Sequence, residues 1–165
     1  MKRVLIVGSP GAGKSTLAAS LARRTGLPLY HLDQLYWQPG WIEPGRDQWR
    51  ATLDAVLAQS CWIIDGNYGG TLGARLARAD TVIDLDVPAW RCLARVIRRV
   101  RAHRGRVRPD MGPGCPERYS WEFLLYIARF PFASRPRLEQ RLDAFPGRRI
   151  RLSTDAEVAA FLATV

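Results

Sequence analysis

The chain has 165 residues, 47% of them hydrophobic, which is one domain's worth of sequence with ample apolar material for a core. Its net charge of +10 is uneven: residues 1–90 hold nine basic and eight acidic side chains, residues 91–165 sixteen and seven, so the second half attracts polyanions such as nucleotides, nucleic acid or acidic lipid. Cys61, Cys92 and Cys115 are odd in number and form no CxxC pair, which argues against a disulfide framework and against a zinc site.

RVLIV, Arg3 to Val7, is a short β-branched run that stops at Gly8 and reads as a strand. It is too short for a signal h-region or a membrane span, and the expectation is a soluble cytoplasmic protein. Lys14 to Arg24 places Leu17, Ala18 and Leu21 on one helical face. LPLYHLD reads as a second strand ending near Asp33, QLYWQPGWIEPG as an aromatic, proline-rich loop, and Asp47 to Gln59 as a helix striped by Trp49, Leu53, Val56 and Leu57. CWIID is a third strand, Thr71 to Ala79 a short helix and TVIDLD a fourth strand. Pro88 suits the first turn of a helix running to about Arg101. RGRVRPDMGPGCPE is too irregular for regular structure, and residues 101–120 form a candidate lid. Ser120 is placed to cap a helix over WEFLLYIARF, a further helix spans Pro136 to Ala144, RRIRLS is a fifth strand, and Asp155 to Leu162 is a last helix. Five strands alternating with helices, without repeat or linker, predict a single α/β domain over residues 1–165: three layers, with a five-stranded parallel sheet flanked by helices. Ligands of such sheets bind beyond the carboxyl ends of the strands.

GSPGAGKST, Gly8 to Thr16, fits GxxxxGK[ST] directly after one strand and at the start of a helix, the context a P-loop requires. Lys14 is one of only two lysines beside 23 arginines, so its retention there is informative. Gly8, Pro10, Gly11, Ala12, Gly13, Lys14, Ser15 and Thr16 are the candidate cofactor-binding residues. Backbone N–H groups of such a loop point at phosphate, Lys14 reaches the β- and γ-phosphates, and the Ser15 hydroxyl is a ligand for Mg²⁺. ATP and Mg²⁺ are the cofactors expected; the motif alone leaves hydrolysis and transfer both open.

From Val4 to about Phe132 the chain resembles the adenylate-kinase-related branch of P-loop kinases, and within it the kinases labelled DNA topology modulation proteins. GSPGAGKS, HLDQLYW with the following PGW, WIIDGNY, ADTVIDLDVP and RGRVRPDMGPGCPE carry the resemblance. It implies a kinase with an arginine-rich lid. In that branch the third strand ends in a DGFPR-like motif, whose aspartate helps hold the metal's water shell and whose arginine binds the acceptor monophosphate. DGNYGG retains Asp65 and Gly66, but Gly69 stands where the arginine would, leaving Arg75 and Arg46 as candidate substitutes. LDVPAWRCLARVIRR is similar to the strand and helix that enter the lid, which carries Arg95 and Arg99 onto positions that contact ATP phosphates. Four residues apart, they share a helix face, which a solvated basic stripe would also produce. Ser153 to Asp155 follow the fifth strand, where related kinases hold adenine.

Asp33 is the candidate for anchoring or deprotonating the acceptor hydroxyl, with a helix or turn cap as the alternative. Arg104, Arg106 and Arg108 sit on the candidate lid; Arg106 and Arg108 flank its most family-like segment and either close over phosphates or are simply exposed. Residues 33–60 are the candidate acceptor-binding region, where Tyr36, Trp37 and Trp41 form a stacking wall or merely pack. His31 and His103 are lone histidines without a metal-ligand partner at suitable spacing. The leading expectation is an ATP-dependent phosphotransferase acting on a small acceptor, such as a nucleotide or nucleoside. The alternatives are a nucleotide-gated nucleic-acid-binding protein and a polynucleotide 5′-kinase, although no nucleic-acid motif supports that partner. No membrane partner is expected, and monomer and homodimer both fit the sequence.

Overall fold

Five short apolar runs become the strands of one parallel sheet, β1 (Arg3–Gly8), β2 (Leu29–His31), β3 (Trp62–Asp65), β4 (Thr81–Leu85) and β5 (Arg148–Leu152), in the order β2-β3-β1-β4-β5. The structure, a computed structural model, describes all 165 residues. Helices α1 (Lys14–Thr25), α2 (Leu32–Tyr36), α3 (Arg46–Leu57), α4 (Leu72–Arg78), α5 (Ala89–His103), α6 (Trp121–Ala133), α7 (Arg135–Asp143) and α8 (Asp155–Ala163) connect and cover it. No helix is long and apolar enough to cross a membrane.

Residues alternate across the sheet with the period of two that strands impose. Val4, Ile6, Ile63, Ile83 and Leu85 pack on one side with α1, α5 and Ile127 of α6. Leu5, Val7, Trp62, Ile64 and Val82 pack on the other with α3, α4 and α7. β1 lies in the middle, so the loop leaving Gly8 emerges at the centre of the carboxyl edge, with β3 and β4 as neighbours.

Ser120 caps α6 as its position predicts, its Oγ accepting from the backbone N–H of Phe123 at 3.2 Å. Asp33 departs from expectation. β2 ends at His31, and Asp33 is the second residue of α2 rather than the end of a strand. β2 pairs over only three residues with β3, after which the chain turns into helix with a carboxylate in the first turn, where the helix dipole favours it. Asp33 is not the cap either, since His31 occupies that position and no side chain caps there.

Candidate active site

Gly13 occupies the position before α1 with φ 100°, so the first turn of the helix has no side-chain cap. Its free backbone N–H groups and dipole form an anion site. A Cβ on Gly13 would meet only Arg95 Nη1, at 3.7 Å, so the positive φ rather than close packing calls for glycine there. Gly11 is required by packing instead, because a Cβ there would lie 2.5 Å from the carbonyl oxygen of Cys92 on α5. Lys14 Nζ donates to the carbonyls of Gly8 and Ser9, both at 3.0 Å. Burial lowers the pKa of its ammonium, against the pull of Asp65 and Asp33. Pro10 through Thr16 line a cavity of about 810 Å³, whereas Gly8 lies behind it.

Asp65 lies at the carboxyl end of β3 and is 4% exposed, beside that cavity's P-loop. Its Oδ1 is 2.8 Å from Nδ1 of His31, which is paired with it across β2 and β3. Sequence spacing gave His31 no role; strand register brings it to the carboxylate. Asn67, also unmarked in the sequence, pairs its side-chain amide with Gly8, donating to its carbonyl at 2.8 Å and accepting from its N–H at 3.2 Å. Arg75 is fully buried and donates to the carbonyls of Gly66, Asn67 and Tyr68. It therefore holds the 66–68 turn and does not face the cavity, which removes it as a substitute for the missing acceptor arginine; exposed Arg46 does not line the cavity either.

Asp33, Trp37, Trp41 and Tyr68 line the far end of the same cavity. The Tyr68 hydroxyl donates to Asp33 Oδ1 at 2.7 Å. Burial raises the pKa of the Asp33 carboxyl, with Asp65 adding to the effect. Trp37 and Trp41 meet edge to face at 5.4 Å, but Tyr36 packs behind them against Trp49 and Tyr68. The only non-glycine residues with positive φ are Trp41 (64°) and Tyr68 (34°), and both face this cavity. Such backbone strain costs about 1–3 kcal/mol per residue and collects at ligand sites.

Residues 104–120 carry no helix or strand and dock onto the segment after β2. Gly40 N donates to Gly114 O at 3.0 Å, Trp41 Nε1 to Pro116 O at 3.3 Å and Gln34 Nε2 to Pro109 O at 2.8 Å. The lid and the acceptor segment thus form one roof. Beneath it, Glu117, 6% exposed, accepts from Arg99 Nε at 2.8 Å and from Arg108 Nε at 2.7 Å, while Arg108 Nη1 also reaches Asp110 at 2.8 Å. Arg95 donates to Ala12 O at 3.0 Å and forks onto Asp155 at 2.6 and 2.9 Å. Arg95, Arg99 and Arg108 line the cavity together with Asp155, whereas Arg104 and Arg106 are exposed away from it.

A profile of the "ATPase family associated with various cellular activities (AAA)" matches residues 4–65, the segment from β1 through the P-loop to Asp65. No curated protein matches the chain by sequence. Shikimate kinase from Acinetobacter baumannii, in complex with shikimate, superposes with TM-score 0.60 at 16% identity, covering 99% of this chain and 90% of that one. Shikimate kinase from Bacteroides thetaiotaomicron gives TM-score 0.56 at 18% identity, covering 99% and 95%. The fold is that of a P-loop NTPase, like that of small P-loop kinases.

The glycine cradle, half-buried Lys14 and uncapped α1 fit a nucleoside triphosphate. No group of three or more His, Cys, Asp or Glu side chains converges on a metal position. Ser15 and the remaining oxygen of Asp65 therefore suit a Mg²⁺ that arrives with the nucleotide, phosphates and water completing its shell.

Proposed function

We propose that the chain is an ATP- and Mg²⁺-dependent phosphotransferase that phosphorylates a hydroxyl group of a small acceptor. The observation that carries this reading is the single cavity reaching from the P-loop to Asp33 and the tryptophans under the 104–120 roof. A cavity of that reach offers donor and acceptor adjoining places, and excluding water from it would favour transfer over hydrolysis.

When bound, ATP supplies the γ-phosphoryl group. The P-loop amides and Lys14 would hold its phosphates, Ser15 and Asp65 would hold the metal, and Arg95 and Arg99, which line the same cavity, would match the negative charge. Asp155, Val158 and Leu162 of α8 line the cavity beside Arg95 and suit the nucleoside end. Asp33 takes the proton of the acceptor hydroxyl as its oxygen bonds to the γ-phosphorus. The bond from that phosphorus to the β,γ-bridging oxygen breaks, and ADP leaves with the electron pair.

The sequence resemblance to adenylate-kinase-related kinases supports the donor half of this reading more than the acceptor half, because no arginine stands at position 69. The docking of residues 104–120 onto residues 34–42 favours a small acceptor over a polynucleotide strand, which needs an open track. ADP release from Mg·ATP, measured with a panel of hydroxylated acceptors, tests the proposal. Stimulation by an acceptor, abolished in Lys14→Ala, is the result expected. ADP release that no acceptor changes would overturn it in favour of an ATPase.

A further inference from the structure

We infer that the acceptor is a hydroxyl compound without an anionic group, a sugar or nucleoside rather than a phosphate or carboxylate. The half-buried Arg108 guanidinium of the roof is already matched, and Asp33 faces the cavity without an ion pair. This inference rests on the phosphotransferase reading and concerns only the far half of its cavity.

The guanidinium donors come first. Arg108 lines the cavity from the roof, and it is committed to Glu117 at 2.7 Å and to both oxygens of Asp110 at 2.8 and 2.9 Å. Arg75, which by chain position could have reached an acceptor phosphate, is turned inward onto three backbone carbonyls. Arg108 is thus matched by two carboxylates of the roof itself. An anion entering there would either break these pairs or lie unpaired, and a desolvated unpaired anion is strongly disfavoured.

Carboxylates face the cavity here as well. Asp33 forms an acceptor contact only with the Tyr68 hydroxyl and no ion pair. Asp33, Asp65 and Asp110 all line this cavity, with Lys14 and Arg108 offsetting part of their charge. An acceptor phosphate would add like charge to it, whereas a hydroxyl donates to Asp33 without penalty.

The remaining walls are flat and apolar. Trp37, Trp41 and Tyr68 offer aromatic surface of the kind that packs on a sugar's C–H face or a base. Two exposed guanidiniums, Arg98 and Arg118, line the cavity without a carboxylate partner, and that of Arg118 rests over the Trp41 ring at 5.3 Å from the centroid. That contact stiffens the tryptophan. Arg118 is thus the free guanidinium at the tryptophan wall from which an anionic acceptor could be held, which makes it the decisive control.

Matched pairs decide the matter: glucose with glucose 6-phosphate, ribose with ribose 5-phosphate, adenosine with AMP and cytidine with CMP, plus shikimate as a carboxylate. Each is assayed for ADP release at fixed Mg·ATP in wild type and Arg118→Gln. We expect turnover with an uncharged member, its kcat/KM at least about 100-fold above that of its phosphorylated counterpart. Arg118→Gln should change that value by less than about fivefold. Preference for an anionic member, or a larger loss in Arg118→Gln, would overturn the inference while leaving the phosphotransferase reading intact. Stimulation by no member of either class would instead sink that reading, and the inference with it.

Discussion

His31 Nδ1 stands 2.8 Å from Asp65 Oδ1, the two residues facing each other at paired positions of β2 and β3. The imidazole fixes one oxygen of the carboxylate and leaves the other for the cavity, so the rotamer of Asp65 is set before any metal arrives. Outer-shell partners of this kind tune metal affinity by about 10–100-fold. His31→Ala is expected to raise the Mg²⁺ concentration for half-maximal ADP release by about tenfold, with little change in maximal rate. An unchanged Mg²⁺ requirement would reduce His31 to a packing residue.

Glu117 joins α5 to the roof by accepting from Arg99 and Arg108 at once. Removing its charge leaves two guanidiniums facing each other in a poorly solvated space; burial, and then the nearby Arg108, already lower the Arg99 pKa. Glu117→Ala is expected to destabilise the fold by about 3 kcal/mol in urea titrations. It should also speed amide exchange across residues 104–120 ahead of the sheet. Uniform acceleration throughout the chain would mean that the pairs support the whole fold and not the roof in particular.

The strands and most helices were legible because burial writes its period into the sequence: TVIDLD and CWIID could hardly be anything else in a doubly covered sheet. The P-loop was legible for a different reason, since its geometry demands glycine at fixed spacing. Asp33 was picked out by position and Asp65, Arg95, Arg99 and Arg108 through the family resemblance, and all five line one cavity. His31, Asn67 and Glu117 were not found. Their partners lie 34, 59 and 18 residues away, for Asp65, Gly8 and Arg99 respectively, and only strand register and roof docking bring them together. The strained backbones of Trp41 and Tyr68 leave no compositional trace, since neither is a residue that favours positive φ.

Asp84 of β4 is fully buried on the face where its neighbour Val82 packs in the core, and it is matched there by Arg135 at 2.7 and 2.8 Å and by Arg149 at 3.1 Å. Glu139 and Asp143 of α7 extend the layer through Arg149. An ionic layer thus replaces apolar packing between α7 and the β5 edge. Breaking a buried pair by removing one partner costs about 3–5 kcal/mol, whereas an exposed pair contributes about 0–1 kcal/mol. Asp84→Asn is therefore expected to lower the unfolding free energy by about 3 kcal/mol. The control Asp143→Asn, at a side chain 67% exposed, should cost less than about 1 kcal/mol. Similar losses in the two variants would show that burial does not govern this network.

Asp33 separates activity from stability. Burial raises its folded pKa above the ordinary carboxylate value of about 3.9. A group raised in this way binds protons more tightly when folded, so its contribution to stability declines as pH rises from the unfolded pKa through the folded one. An ionised Asp33 carboxylate is therefore a cost to the fold. The kcat/KM profile should accordingly fall on acidification with a midpoint above about 4. Asp33→Asn keeps an acceptor oxygen for the Tyr68 hydroxyl, 2.7 Å away, but cannot take a proton. It is expected to unfold at higher urea concentration than wild type at pH 7 and to lose at least about 100-fold in turnover. Loss of both stability and turnover would make Asp33 a structural anchor of the 66–68 turn, and the base would then have to be sought elsewhere in the cavity.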